Sequence, residues 1–255
     1  MEKEQGALKY KFGLLGKNID YSFSRSYFSK KFKSENLPHS YVNFDLNQIE
    51  EALDVIQSNS DLKGLNVTIP YKESIIPFLD GVNKRAQAIG AVNTIRITNQ
   101  KQLIGFNTDY LGFKKSLEDY LEPHHRSALI LGTGGASKAI AYALNTLNIS
   151  YDFVSRSLTK NSKFLYSDLT QQIIESYGII INCTPIGTFP NVNQCPDIPY
   201  EGIGPKHICY DLIYNPEQTK FLSCGELQGA TTINGLEMLE IQAEEAWKIW
   251  MQDEN

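Results

Sequence analysis

The residues Leu129-Ile-Leu-Gly132-Thr133-Gly134-Gly135-Ala136-Ser137 run an apolar stretch into a glycine turn and then toward a helix. Glycines permit a tight turn and the close approach of a pyrophosphate, whose charge a helix N-terminus stabilises. That is the chemistry of dinucleotide binding, with Ser137 at the fingerprint position that normally holds Gly or Ala. A merely glycine-rich strand-to-helix turn is the alternative. About twenty residues on, an NAD site needs an acidic residue for the ribose hydroxyls. Here the next strand ends Phe153-Val154-Ser155-Arg156-Ser157, and Asp152 lies too early. Arg156, with Ser155, Ser157 and Lys160, could hold a 2′-phosphate through charge-assisted hydrogen bonds of about 1.5–3 kcal/mol each. A solvated surface arginine is the other reading. The expected cofactor is NADP(H), not NAD.

A second set of polar residues falls where strands should end: Asn66-Val-Thr68-Ile-Pro70-Tyr-Lys72, Gly90-Ala-Val-Asn93-Thr94 and Gly105-Phe-Asn107-Thr-Asp109. Ligands of open α/β sheets sit beyond the carboxyl ends of strands. Ser22 and Ser24 flank Phe23 ahead of a helix and offer two hydroxyls beside its unpaired amides. Each cluster also has an ordinary explanation. Ser24 can be an N-cap, Asn93 and Asn107 turn formers, and Lys72 a surface lysine.

The elements that position these residues alternate between short apolar runs and amphipathic stretches. Strands are expected at Tyr10–Leu15, Tyr41–Asp45, Leu65–Ile69, Ala91–Thr98 and Gln102–Phe106, the last two joined by a hairpin at Asn99-Gln100. Helices are expected at Ser24–Lys33, Asn47–Gln57, Val82–Ile89 and Asp109–Leu121, the last burying Leu111, Leu117 and Leu121. The second half restarts with strands at Ala128–Leu131, Tyr151–Val154, Ile179–Asn182 and Ile208–Leu212. Helices there span Ala136–Leu147, Gln218–Leu227 and Leu236–Met251. Strands alternating with helices imply parallel α/β sheets, and two such runs imply two lobes with a cleft between them.

Composition sets the outer bounds. The chain has 255 residues, 42% hydrophobic and 21% charged, which excludes wholesale disorder. A net charge of −5 argues against a nucleic-acid or anionic-membrane partner. Cys183, Cys195, Cys209 and Cys224 form no CxxC pair, and His39, His124, His125 and His207 no metal-ligand spacing. Neither a disulfide framework nor a metal is expected. Residues 1–9 lack an apolar signal region, and the uncharged Ser176–Pro196 stretch is too rich in Pro, Gly and Asn to span a membrane. A reducing, cytoplasmic location is the expectation.

Taken together and in order, Asn66-Val-Thr68-x-Pro70-x-Lys72, Gly90-Ala-Val-Asn93-Thr94, Asn107-Thr-Asp109, Gly132-x-Gly134-Gly135-Ala136 and Asn234-Gly235-Leu-x-Met238-Leu-x-x-Gln242 resemble the shikimate dehydrogenase family, from about Tyr10 to Trp250. The Asn-Val-Thr-x-Pro-x-Lys stretch and the 37-residue step from Lys72 to Asp109 are its specific parts. The glycine motif is shared with many dehydrogenases. The resemblance implies NADP-dependent reduction of 3-dehydroshikimate to shikimate in aromatic amino-acid (chorismate) biosynthesis, by a monomer or homodimer. It implies Lys72 and Asp109 as the catalytic pair, and Ser22 and Ser24 at the substrate carboxylate with Tyr214 nearby. Asn66, Thr68, Asn93 and Gln242 would hold ring hydroxyls. Gly132, Thr133, Gly134, Gly135 and Ala136 would hold the pyrophosphate, Ser155, Arg156 and Lys160 the adenosine phosphate, and Leu212 and Gly235 the nicotinamide end. The implied fold is an open α/β substrate domain, residues 1–108 plus 235–255, and a Rossmann-like NADP domain, residues 109–234.

The sequence departs from the family pattern in places. The usual His-Ser-x-Ser-Pro reads Tyr21-Ser22-Phe23-Ser24-Arg25, Lys84 stands where an acidic residue is common, and Glu237 where glycine is. The Lys84 and Glu237 changes bear on fine cofactor geometry. A quinate/shikimate dehydrogenase of broader range and a catalytically silent NADP- or shikimate-binding homologue remain alternatives. A methylenetetrahydrofolate dehydrogenase type has no reason to carry Ser22, Ser24 and Asp109 together. Arg25 either points to solvent or strengthens anion binding. An Arg25→Ala variant whose KM for shikimate is unchanged excludes the second option.

Overall fold

A computed structural model describes residues 9–20, 22–157 and 162–252. Lys160, expected at the phosphate clamp, lies outside them. The chain forms two compact units. One takes the described residues up to Thr108 with those from Ala243 onward, and the other is Asp109–Gln242.

The first unit contains β1 (Lys11–Gly16), α1 (Phe23–Ser34), β2 (Ser40–Asp45), α2 (Glu51–Ser58), β3 (Leu62–Val67), β4 (Gly81–Val82), α3 (Lys84–Ile89), β5 (Thr94–Ile97) and β6 (Leu103–Phe106). Its sheet has the order β2-β1-β3-β5-β6-β4. It is not wholly parallel, as expected from the alternation, because β5 runs against both β3 and β6. The short β5–β6 connection forces this reversal: only antiparallel strands can be joined by so few residues. Lys101 takes a positive φ there, and Gln102 N–H donates to Thr98 Oγ1 at 3.0 Å. α2 begins at Glu51 rather than Asn47, and the Glu51 carboxylate accepts from Asn47 N–H at 3.4 Å ahead of it.

The second unit contains α4 (Asp109–Glu118), β7 (Ser127–Leu131), α5 (Gly135–Thr146), β8 (Ser150–Ser155), β9 (Ser162–Leu165), α6 (Gln171–Glu175), β10 (Ile179–Asn182), β11 (Ile208–Asp211), α7 (Lys220–Leu227) and β12 (Thr231–Ile233). All its strand pairs are parallel, in the order β12-β11-β10-β7-β8-β9. Strand order reverses between β7 and β10, the topological switch point at which such sheets bind ligands. The buried face of α4 is built on Phe113, Ser116 and Leu117, not on Leu111 and Leu121, which are half-buried. Tyr210 explains the shift. Its ring packs edge-on to Phe113 and its hydroxyl lies 2.7 Å from Ser116 Oγ.

The last helix, α8 (Leu236–Met251), is divided between the units, Leu236–Gln242 clustering with the second and the remainder with the first. Residues 235–242, expected with the substrate domain, therefore group with the second unit. Among the described residues no helix is long and apolar enough to cross a membrane.

Trp250 of α8 closes the first core. It is fully buried among Phe12, Phe28 and Tyr41, and its indole N–H donates to Ile95 O at 3.0 Å. The ring lies directly on Gly64 of β3, where an added Cβ would fall 2.2 Å from Trp250 Cδ1. Overpacking at such a contact costs about 1–3 kcal/mol. Gly64→Ala should lower the thermal midpoint accordingly, and Trp250→Phe in the same chain should recover part of the loss. Equal midpoints for wild type and Gly64→Ala would contradict this packing.

Candidate functional site

In the first unit the reversal of β5 decides where the polar residues meet. Asn66 lies near the end of β3, Thr94 opens β5, and Asn107 and Thr108 follow β6. Register places Asn66 opposite Thr94, and Thr94 opposite Phe106. Asn93, expected at a strand end, instead precedes a strand. Because that strand runs backward, Asn93 arrives at the same edge as Asn66 and Asn107.

Hydrogen bonds fix this edge. Asn93 Oδ1 accepts from Thr108 N–H at 2.7 Å and from Thr94 Oγ1 at 3.0 Å, while Asn93 Nδ2 donates to Thr108 Oγ1 at 3.0 Å. Asn66 Nδ2 donates to Thr94 Oγ1 at 3.3 Å and to Asn93 O at 3.4 Å. Asn107 Nδ2 donates to Ala91 O at 3.0 Å. All three asparagines are buried. Buried amides of this kind hold their geometry because a broken bond leaves an unsatisfied polar group. Asp109 is the residue after Thr108, also buried, and opens α4, where a carboxylate suits the positive end of the helix.

Lys72 sits on the turn after β3, half-buried. The turn is anchored on either side. Thr68 N–H donates to Leu15 O at 2.9 Å, buried Tyr71 donates through its hydroxyl to Leu46 O at 2.8 Å, and Lys72 O accepts from Val92 N–H at 2.7 Å. A flexible side chain thus leaves a rigid backbone point. Ser22, rather than Ser24, caps α1: its Oγ accepts from Arg25 N–H at 3.2 Å. Ser24 follows in the first turn of α1 and is half-buried. The Arg25 residue is exposed, as are Lys84 and Glu237.

In the second unit the glycine turn falls between β7 and α5 at the switch point. Gly132 has φ +100°, and a Cβ there would fall 2.9 Å from Thr184 Cγ2, so neither backbone nor space admits a side chain. Thr133 and Gly134 are exposed, and a Cβ on Gly134 would meet nothing within 4 Å. Among the described residues no side chain caps α5, and while Ser137 N–H donates to Gly134 O at 3.0 Å, the amides of Gly135 and Ala136 suit an anion. Ser137 is buried and its hydroxyl donates to Gly134 O at 2.6 Å, so the departure from glycine is accommodated by its own hydrogen bond. Ser155, at the end of β8, is buried and its hydroxyl turns to Ser157 O, while Arg156 and Ser157 are exposed. These residues fit a dinucleotide carrying a phosphate on its adenosine.

A buried carboxylate, missed by sequence reasoning, holds the neighbouring loops. Asp211, at the end of β11, accepts from Thr219 Oγ1 at 2.6 Å, Asn182 Nδ2 at 3.0 Å and Ile213 N–H at 3.1 Å. Asn182 Oδ1 in turn accepts from Thr184 N–H at 3.0 Å and Thr184 Oγ1 at 2.7 Å. The chain of bonds therefore ends at the side chain that packs on Gly132. Leu212 follows Asp211, and its carbonyl oxygen would lie 2.1 Å from a Cβ on Gly235. Only glycine permits this approach. Gln242 is buried in α8, beside Gly112 of α4, and Tyr214 is half-buried, its phenol pKa raised by burial. Tyr166, also missed, has a buried hydroxyl without a partner among the described residues. Burial pushes its pKa up to about 12, against the lowering effect of the nearby Arg156 guanidinium.

Comparisons with known proteins agree with both halves. The family model for the shikimate dehydrogenase substrate binding domain matches residues 14–95. A shikimate dehydrogenase (NADP(+)) of Clostridium botulinum is 40% identical over 251 residues, covering 94% of this chain and 96% of that protein. Among solved structures, a shikimate dehydrogenase in complex with NADP+ is 34% identical, with a TM-score of 0.85 over 96% of this chain and 91% of the other. The Thermus thermophilus shikimate 5-dehydrogenase, in complex with NADP(H) and shikimate, is 28% identical, with a TM-score of 0.84 over 95% and 93%.

Burial raises the Asp211 pKa from 3.8 to about 6, against the lowering effect of its bonds from Thr219, Ile213 and Asn182. The folded state therefore binds this proton more tightly than the unfolded chain. The associated stability is fully present below about pH 4 and is lost as pH rises through about 6. Relative to Asp211→Asn, wild type should lose up to about 3 kcal/mol across that window, measured by urea unfolding at fixed pH values. Parallel stability profiles for the two proteins would contradict it.

Proposed function

The chain belongs to the shikimate dehydrogenase family, and we propose that it catalyses the reversible, NADPH-dependent reduction of 3-dehydroshikimate to shikimate, a step toward aromatic amino acids. The observation that carries this reading is the buried edge at which Asn66, Asn93 and Thr108 are bound to one another, with Asp109 the next residue in the chain. Amide and hydroxyl groups suit a polyhydroxylated ring, because a substrate lacking one hydroxyl would strand a buried partner.

In this reading the substrate is held mainly by side chains that the first unit carries. Ser22 and Ser24 hold its carboxylate, with Tyr214 nearby, and Asn66, Thr68, Asn93 and Gln242 serve the ring hydroxyls. Asn93 also acts through Thr108, whose backbone it pins. NADPH, when bound, supplies the hydride to the ring ketone. Lys72 stabilises the alkoxide that results and gives it a proton from Nζ, and Asp109 orients that ammonium. Gly132, Thr133, Gly134, Gly135 and Ala136 receive the pyrophosphate at the start of α5. Arg156, with Ser155 and Lys160, receives the adenosine phosphate, and Leu212 with Gly235 lines the nicotinamide end. Four free thiols among the described residues suit a reducing cytoplasm.

Purified protein should reduce NADP+ with shikimate, followed by absorbance of NADPH. Lys72→Ala should lower kcat by about 10²–10⁴-fold, the usual contribution of a positioned general acid, while shikimate binding stays measurable. Absence of NADP-linked activity on both shikimate and quinate overturns the reading.

A further inference from the structure

β2 supplies none of the substrate residues named above, yet its side chains hold groups on which those residues depend. Tyr41, Asn43 and Asp45 alternate along the strand and so share one face. Tyr41 is buried in the aromatic core, and its hydroxyl donates to Asn66 Oδ1 at 2.8 Å. Toward the carboxyl end of the strand the face turns polar. Asn43 Nδ2 donates to Ile19 O at 2.7 Å. Asp45 accepts from Asn18 N–H on Oδ1 at 2.9 Å and from Ile19 N–H on Oδ2 at 3.4 Å.

Asn18 and Ile19 belong to the segment that leads from β1 to Ser22, the N-cap of α1. Asn18 has φ +56°, in the left-handed region that few residues other than glycine adopt. The course of the segment therefore depends on what holds it. The Ile19 side chain is buried in the same core as Phe28 of α1. A Cβ on Gly16 would fall 2.5 Å from both Ile19 Cγ2 and Thr68 Cγ2, and Lys17 N–H donates to Ile69 O at 3.3 Å. The segment is thus bonded to β2 and also to the turn after β3. At its end Ser22 Oγ serves the helix cap as an acceptor, which leaves the hydroxyl hydrogen for a ligand.

We propose that Asp45 is a positioning residue for the substrate carboxylate: it fixes the segment that sets where Ser22, and Ser24 in the turn that follows, present their hydroxyls. The inference rests on the function proposed above. Both oxygens of Asp45 are engaged by backbone amides of the segment, so its charge is directed to the loop. Such bonds are charge-assisted, but the residue is exposed and water competes for the same oxygens, which makes the effect moderate. An acidic residue that merely stood near an anion site would act in the opposite sense, by repelling the ligand.

Asp45→Ala should raise the KM for shikimate about three- to tenfold, the range of one net hydrogen bond, with kcat changed less. The KM for NADP+ should be unchanged, which serves as the check on folding. Asp45→Asn keeps one acceptor and should fall between Asp45→Ala and wild type. The methyl ester of shikimate offers the serines no charged carboxylate, so its binding should suffer less from Asp45→Ala than that of shikimate. Ser22→Ala should cost less in the Asp45→Ala background than in wild type. Given a wild-type protein that turns over shikimate, three results each overturn the role of Asp45 alone: an unchanged KM in Asp45→Ala, equal losses for acid and ester, or a lowered KM in Asp45→Asn. A wild-type protein that neither turns over nor binds shikimate overturns both this inference and the function beneath it.

Discussion

The reversed direction of β5 is the constraint on which the substrate side of this protein depends. In a fully parallel sheet, Asn93 would sit at the far end of its strand from Asn66 and Thr108. With β5 reversed, the start of one strand lies beside the ends of two others. The Asn93 side chain then meets both the backbone and the hydroxyl of Thr108. The local cause is the short turn between β5 and β6, and the result is a set of buried amides that satisfy one another.

The cofactor side is organised by a different means. Its sheet is wholly parallel, so geometry comes from the strand ends and from the loops that leave them. Glycines at 132 and 235 remove side chains where backbone or ligand must approach closely. Asp211 then draws the ends of β10 and β11 and the start of α7 onto one carboxylate. Burying a carboxylate is costly unless hydrogen bonds compensate it, and here three donors converge. The open glycine turn thus stands beside loops that are closely tied.

Much of this was legible in the amino-acid pattern. Leu236–Met251 and Ile179–Asn182 read to the residue, the first being strongly periodic and the second a run of isoleucines ended by one asparagine. β9, α6 and β12 were not read, since three to five residues of mixed polarity carry no period. The direction of β5 was implicit in its hairpin but hidden by the alternation around it. Tyr41 and Asp211 were read only as strand residues. Strand patterning shows which face a residue takes, not which distant side chains share its hydroxyl or carboxylate. Ser22 and Ser24 were both visible as candidates; which of them caps α1 depends on where the helix starts, the boundary that pattern defines least well.

The place of Trp250 bears on how the chain reaches its fold as it is made. The first aromatic core holds Phe12 and Phe28 from the beginning of the chain, and Ala243, Ala246 and Trp250 from α8. Everything from Asp109 to Gln242 is therefore synthesised before that core receives its largest side chain. The second unit, by contrast, draws on one unbroken run of sequence. Synthesis proceeds from the N-terminus, so the unit begun first is the one completed last.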